Sequence, residues 1–208
     1  NGVFLEDGVL YQAEGGSVTP ILPISDIALP GMHNVENYMA AFAAVRGLVS
    51  AETMDAVARS FHGVEHRIER IRVRRGVRWY NDSIASSPSR TIAGLRSFPE
   101  KVILIAGGKD KGISYDAIGP EINEHVKYLI LCGATAGVIR ESVQKAANYA
   151  GLPIREVQDY HEAVALADEV SGEGDVVILS PASTSFDRFA NFMERGRVFK
   201  DIVNALPE

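Results

Sequence analysis

The 208-residue sequence is short of several things, and each shortage removes a class of explanation. It has one cysteine, Cys132, so no internal disulfide can form, and it lacks paired Cys/His ligands for a structural zinc site. A reducing cytoplasm fits that usage. No apolar run approaches the roughly 18–20 residues that cross a bilayer, so no membrane span is expected. Basic residues are outnumbered, 21 Lys and Arg against 27 Asp and Glu, and the net charge of −6 argues against a nucleic-acid partner. A GxxxxGK[ST] loop is missing, so a bound nucleotide would need its main phosphate grip from elsewhere. There is no initiating Met and no signal-peptide pattern, and an opening on Asn1-Gly2-Val3-Phe4-Leu5 reads as a piece of a longer protein. The remaining composition, 46% hydrophobic and 23% charged, is that of a globular chain long enough for one domain plus part of another.

Patterning divides the chain near Gly63. Before it, Asp7-Gly8 between two apolar-rich runs predicts a hairpin with a type I′ turn. Residues 13–31, with Pro20, Pro23 and Pro30, are expected to hold no regular element. A helix is expected over 33–48, with Met39, Ala40, Phe42, Ala43 and Val45 inward and Gly47 as its stop, then a second over 51–61 capped by Ser50. After Gly63 short apolar runs alternate with amphipathic stretches. Arg67–Arg74 alternates apolar and charged residues, as a strand with one wet face would. Residues 77–80, 102–107, 128–133 and 176–181 read as strands, the last three apolar enough to be covered on both faces. Helical patterns lie at about 88–97, 114–124, 136–149, 160–170 and 184–205. This rhythm predicts a Rossmann-like, doubly wound, mostly parallel α/β sheet.

In such a sheet, ligands collect at the carboxyl ends of the strands. The polar motifs fall there: NDSIASSPSRT (81–91), GGKDKG (107–112) and ASTSFDRFANF (182–192), whose hydroxyls at 183–185 are expected to open a helix. Singly, each is more often a turn, a solvated loop or an N-cap. Their succession after strands, supplying carboxylate, ammonium and hydroxyl groups to one sheet end, suits an anionic small substrate plus a nucleotide. His62 and His66 lack the HExxH pattern of a zinc helix. The six arginines between 67 and 78 read as a wet strand face, and Cys132 as core packing.

In order and spacing, PGMHNVENYMAA (30–41), GVEHRIE (63–69), YNDSIASSP (80–88), IAGGKDKG (105–112) and LSPASTSFDRFANFMERGRVF (179–199) resemble the Mur ligase family over nearly the whole chain. The last segment is similar to that of the D-glutamate-adding branch. The resemblance implies that residues 1–63 are the tail of a central ATPase domain and 64–208 a complete C-terminal, amino-acid-binding domain. The sugar-nucleotide domain, the P-loop, the Mg2+ ligands and a carbamylated lysine would lie upstream. It further implies an ADP-forming amide ligase of peptidoglycan synthesis, cytoplasmic and monomeric, that uses ATP and Mg2+. Such a ligase adds D-glutamate to UDP-N-acetylmuramoyl-L-alanine through an acyl phosphate, and the piece alone would be inactive.

By the same resemblance Asn34 and Asn37 meet the adenine, Arg67 the terminal phosphate and Asp82 the ribose. Lys111, Ser86 and Ser185 hold the D-glutamate carboxylates beside Phe192, and Arg67 and Lys111 carry the catalytic roles. The sequence departs from the family's NDSKATN: Ile84 replaces a lysine and Ser86 a threonine. Lys109 or Arg90 could compensate, or that lysine is dispensable. Two alternatives stay open. One is another Mur ligase or a folylpolyglutamate synthetase with a different amino acid. The other is a non-enzymatic nucleotide- or nucleic-acid-binding module that uses the arginine strand.

Overall fold

A computed structural model describes residues 1–29, 31–61 and 63–207; the breaker reading of Pro30 and the pairing of His62 with His66 fall outside the described residues. The chain forms two compact units, Asn1–Gly63 and Val64–Glu208.

The first unit holds a three-stranded antiparallel sheet, β1 (Gly2–Glu6), β2 (Val9–Glu14) and β3 (Ser17–Pro23), with helices α1 (Met32–Val45) and α2 (Ala51–Ser60). The Asp7-Gly8 hairpin is as expected: both residues have positive φ (47° and 77°), as a type I′ turn demands. Strand β3 corrects the expectation of an irregular 13–31. Gly15-Gly16 makes a second two-residue turn, and β3 is an outer strand, where Pro20 and Pro23 need no ladder N–H on the open side. Helix α1 turns Val35, Tyr38 and Phe42 inward against Leu10, Leu22 and Met54, while Ala40 and Ala43 are exposed rather than inward. Ser50 caps α2 through Thr53 N at 3.3 Å.

The second unit is a six-stranded sheet of order β4-β5-β9-β6-β7-β8, parallel except for β4 (Glu69–Arg74) against β5 (Val77–Asn81). The central strands β6 (Val102–Ala106), β7 (Val126–Cys132) and β9 (Val176–Leu179) are the apolar runs. Val102 and Leu104 pack under α3 (Pro88–Leu95), α4 (Ile118–His125) and α5 (Ala136–Lys145). Ile103 and Ile105 pack under α6 (Tyr160–Val170) and α7 (Phe192–Ala205). The short edge strand β8 (Ile154–Val157) has no counterpart in the sequence reading.

The arginine strand departs from a simple wet face. A register shift between Arg70 and Arg72 breaks the alternation, so Arg74 is buried and Val73 exposed. Arg72 Nη1 donates to the carbonyls of Val203 (3.1 Å), Asn204 (3.1 Å) and Leu206 (3.2 Å), neutralising the C-terminal end of α7. Arg74 and Arg75 pair with Asp168, and Arg78 with Glu100. These guanidiniums are spent inside the fold, which weakens a nucleic-acid stripe. Cys132 is buried, its Sγ directed at Gln158 O, and burial raises its pKa, so it packs as expected.

Candidate functional site

The loops leaving β5, β6 and β9 are bolted together at the carboxyl end of the sheet. Asp82 N donates to Leu179 O and Gly107 N to Pro181 O, each at 2.8 Å, while Lys109 and Thr184 exchange backbone bonds of 2.9 and 3.1 Å. That exchange holds Thr184 in a bridge, so the hydroxyls at 183–185 do not open a helix. Helix α7 starts at Phe192, where Asn191 accepts from Glu194 N (2.9 Å) and Glu194 Oε2 accepts from Ala190 N (2.7 Å), a reciprocal cap. Across the β5 and β6 loops, Lys111 Nζ donates to Ser86 Oγ at 3.3 Å. Ser185 is buried beside Thr184, and Phe192 is half-buried, its carbonyl accepting from Ser83 Oγ at 2.8 Å.

Arg67 projects, exposed, from an arch braced on the β5 loop. Ile68 N donates to Asp82 Oδ1 at 3.3 Å, and Ile84 N to His66 O at 3.2 Å. The residues flanking Arg67 both have positive φ, His66 at 69° and the β-branched Ile68 at 46°. A left-handed isoleucine is rare and costs of the order of 1–3 kcal/mol, a kind of strain that collects at functional sites. Ala182, at φ 56°, is a third such residue in this cluster.

Asp82 is buried, accepting from Ser180 Oγ at 2.7 Å as well as from Ile68 N. Burial pushes its pKa up to about 7 from 3.8, with Ser180, Ile68, Arg67 and Arg90 pulling back. A carboxyl whose pKa is higher folded than unfolded binds more protons in the native state between the two values. Its contribution is therefore present below pH 4, declines from there to pH 7 and is gone above. About 4 kcal/mol hangs on that titration. Thermal melts between pH 5 and pH 8 are expected to lose stability with rising pH in the unaltered chain and much less in Asp82→Asn. Parallel pH profiles would rule out Asp82 as the source.

Arg195 and Gly196, which the sequence does not single out, and Asn81, the first residue of the 81–91 motif, support this site. Arg195 is fully buried and donates through Nε to Ser83 Oγ (3.0 Å), Nη2 to Ser83 O (2.8 Å) and Nη1 to Ser183 O (3.1 Å), stitching the β5 loop to the β9 loop. Burial lowers its pKa. Asn81 is oriented by two bonds, Oδ1 accepting from Ser83 N and Nδ2 donating to Glu69 Oε2, each 3.1 Å. Its Nδ2 therefore also donates to His66 Nδ1, 2.9 Å away, which assigns the ring hydrogen to Nε2. Gly196 leaves room for that ring, because a Cβ there would collide with His66 Nδ1.

Glu65, His66 and Glu69 are the one cluster among the described residues with metal-ligand spacing. They do not fit a metal. A ligand imidazole must present a bare nitrogen, whereas Nε2 carries the hydrogen, and Lys200 Nζ already bonds Glu65 (3.1 Å) and Glu69. The signal for Asn81 is its place in the 81–91 polar motif, and for Glu65, His66, Glu69, Arg195 and Gly196 only their place inside the 63–69 and 179–199 motifs.

Of the expected site residues, the structure brings Arg67, Asp82, Ser86, Lys111, Ser185 and Phe192 to one end of the Val64–Glu208 sheet. Asn34 and Asn37 belong to the other unit, on consecutive turns of α1, with Asn37 Nδ2 3.5 Å from Asn34 Oδ1. Ile84 is half-buried, Lys109 and Arg90 exposed.

Residues 66–183 match the family model described as "Mur ligase, glutamate ligase domain". The chain is 53% identical over 209 residues to a UDP-N-acetylmuramoylalanine–D-glutamate ligase of Acetivibrio thermocellus, covering 99% of this chain and 45% of that protein. It is 52% identical to the ligase of the same name from Symbiobacterium thermophilum, covering 97% and 44%. It thus spans about half the length of these curated relatives. Among solved structures, a UDP-N-acetylmuramate-alanine ligase of Thermotoga maritima superposes with a TM-score of 0.67 at 14% identity, covering 95% of this chain and 44% of that one. A Mycobacterium tuberculosis folylpolyglutamate synthase complexed with ADP superposes at 0.65 with 15% identity, covering 99% and 47%. At those identities the likeness speaks to the fold, whereas the domain match speaks to descent: this chain belongs to the Mur ligase family.

Proposed function

We propose that the chain is the nucleotide-capping and amino-acid-binding part of an ATP-dependent ligase that joins D-glutamate to UDP-N-acetylmuramoyl-L-alanine in peptidoglycan precursor synthesis. The observation that carries this is the Lys111–Ser86 contact at 3.3 Å, an ammonium and a hydroxyl held together at the sheet end whose loops also carry Ser185 and Phe192. Such a set binds a small dicarboxylate without needing a metal from this chain. Arg67, on its braced arch, meets the terminal phosphate, and its bidentate fork offsets the charge there. Asp82 accepts from ribose hydroxyls, while Asn34 and Asn37 supply the amide edges for adenine.

ATP supplies the phosphoryl group that activates the substrate carboxylate. The side chains here bind, orient and neutralise, and in acyl and phosphoryl transfer such positioning is much of the catalysis. Mg2+ ligands are assigned to residues upstream of this piece. We place the working protein in the cytoplasm as a monomer; no helix among the described residues is long and apolar enough to cross a membrane. The domain assignment, with 1–63 as the tail of the ATPase domain and 64–208 as the amino-acid domain, is part of the same proposal.

Calorimetric titration tests the substrate: D-glutamate should bind more tightly than L-glutamate, L-lysine or diaminopimelate, and stronger binding of any of these would move the chain to another branch. In the complete ligase Lys111→Ala is expected to raise KM for D-glutamate about tenfold with kcat little changed, because it removes a ground-state contact made by an exposed ammonium. An unaltered KM would take Lys111 out of the pocket.

A further inference from the structure

Thr135 stands at the N-cap of α5, where a threonine hydroxyl ordinarily accepts an amide of the first turn and contributes about 1 kcal/mol. Here it caps nothing. Its Oγ1 instead accepts from Gly108 N at 3.0 Å and lies 2.8 Å from Ser183 Oγ, which lies 2.9 Å from Tyr115 OH. Thr135 N closes the contact by donating to Gly108 O at 3.0 Å. All three side chains are at most 3% exposed. Hydroxyls desolvated to that degree are costly unless bonded, and apolar groups of the same shape would fill these positions at little or no penalty. Burial raises the pKa of Tyr115, so its hydroxyl keeps its proton.

The three hydroxyls come from the segment before α4, the start of α5 and the β9 loop, and they form a chain, Tyr115 to Ser183 to Thr135, that ends on one backbone unit, Gly108. That unit is the root of the loop whose tip carries Lys111. Beyond the root the loop is held by the Lys109–Thr184 exchange, and the tip makes an Asx turn, Asp110 Oδ1 accepting from Gly112 N at 2.9 Å. The reach of Lys111 to Ser86 is therefore set by where the root stands.

We infer that Thr135, Ser183 and Tyr115 are positioning residues: they fix the root of the Lys111 loop so that its ammonium stands at Ser86 for an incoming carboxylate. This rests on the reading of Lys111 and Ser86 as an amino-acid-binding pair. A packing role alone would change stability but leave the affinity for the amino acid where it was. Thr135 has forgone its capping bond to serve the loop, and that exchange of partners is what distinguishes the two roles.

The test uses the complete ligase with Thr135→Val, which keeps the shape and loses the hydroxyl, and Thr135→Ser, which restores it. Hydrogen exchange across residues 105–112 is expected to quicken about tenfold in Thr135→Val, as loss of one buried hydrogen bond implies, and to return in Thr135→Ser. KM for D-glutamate should rise about fivefold with kcat within about twofold, and Thr135→Val should add nothing further in a Lys111→Ala background. Ser183→Ala, which removes the central hydroxyl, is expected to repeat the pattern should Thr135→Val fold poorly. Unchanged exchange, or an equal rise in KM with and without Lys111, overturns the inference. If the unaltered ligase shows no D-glutamate-dependent turnover, the substrate reading fails, and the exchange rates decide the network on their own.

Discussion

Gly196→Ala is expected to destabilise the Val64–Glu208 unit by about 2–3 kcal/mol, against the usual sign for such a change. In a helix interior, alanine is favoured over glycine by about 1 kcal/mol. Gly196 lies buried inside α7, and a methyl there would collide with His66 Nδ1 while lying 2.8 Å from His66 Cε1 and 3.1 Å from Asn81 Nδ2. The ring has little freedom to yield. It is 3% exposed, Asn81 holds its Nδ1 at 2.9 Å, and Phe192 stands edge-on with centroids 5.9 Å apart. Overpacking of this kind typically costs 1–3 kcal/mol, and expelling the ring adds the lost Asn81 bond, so the clash outweighs the propensity gain. Melting should fall by roughly 6–10 °C for a unit of this size. His66→Ala should partly rescue Gly196→Ala, because it empties the space the methyl needs. A melting temperature that rises in Gly196→Ala, or a double variant no better than the sum of its parts, would refute the contact.

The same contact explains why Arg67 depends on a helix far from it in sequence. His66 begins the strained arch, its carbonyl receives Ile84 N, and its ring lies over α7. Lys200, one turn beyond Gly196, bonds both Glu65 and Glu69, with Glu69 Oε2 accepting from His66 N at 2.9 Å. An arch with a left-handed isoleucine persists only where its surroundings over-determine it, and these bonds are that surrounding. Disturbing α7 should thus lower ligase activity by more than the loss of folded protein accounts for.

How far sequence reached follows from which forces are local. The strands β6, β7 and β9 were legible because a strand covered on both faces must be apolar throughout, and the gathering of polar loops at the carboxyl end of the sheet followed from the sheet type. The Asp7-Gly8 turn and the Ser50 cap were legible because one or two residues decide them. The start of α7 was not, because Ser183–Ser185 resemble a cap until Lys109 pairs with Thr184, a contact 75 residues away. Strand β3 was hidden by prolines that only an outer strand tolerates, and β8 by having four residues with charges in the middle. In β4 a single bulge inverted the alternation, exchanging the faces of Val73 and Arg74. Asn81 and Ser183 stood in motifs that follow strands, but their partners, like Arg195, Thr135 and Tyr115, are supplied only by tertiary neighbours, so no spacing rule announces them.

Gly108→Ala should cost the complete ligase about a hundredfold or more in kcat/KM for its proposed substrate, D-glutamate. Gly108 has φ +153°, and a methyl on it would run into the carbonyl oxygen of Thr184, with Arg195 Nη1 at 3.1 Å and Ser183 Cβ at 3.3 Å on the same side. A carbonyl in a bridged segment is not a side-chain tip that can swing away. Relief requires the β6 and β9 loops to part, opening the Lys109–Thr184 exchange and the 2.9 Å bond from Thr184 Oγ1 to Lys109 O. Lys111 then leaves Ser86 on one side while Ser185 shifts on the other, so both halves of the proposed carboxylate site move together. Displacement of about 1 Å in a positioned site is enough for a hundredfold loss, more than removing the Lys111 ammonium alone. Gly112→Ala provides the comparison within the same loop. Gly112 also has positive φ, at 72°, but a methyl there meets nothing within 4 Å, so only backbone strain of about 1 kcal/mol applies. Activity losses of equal size in the two variants would show that loop strain, and not the close approach of the two loops, sets the site.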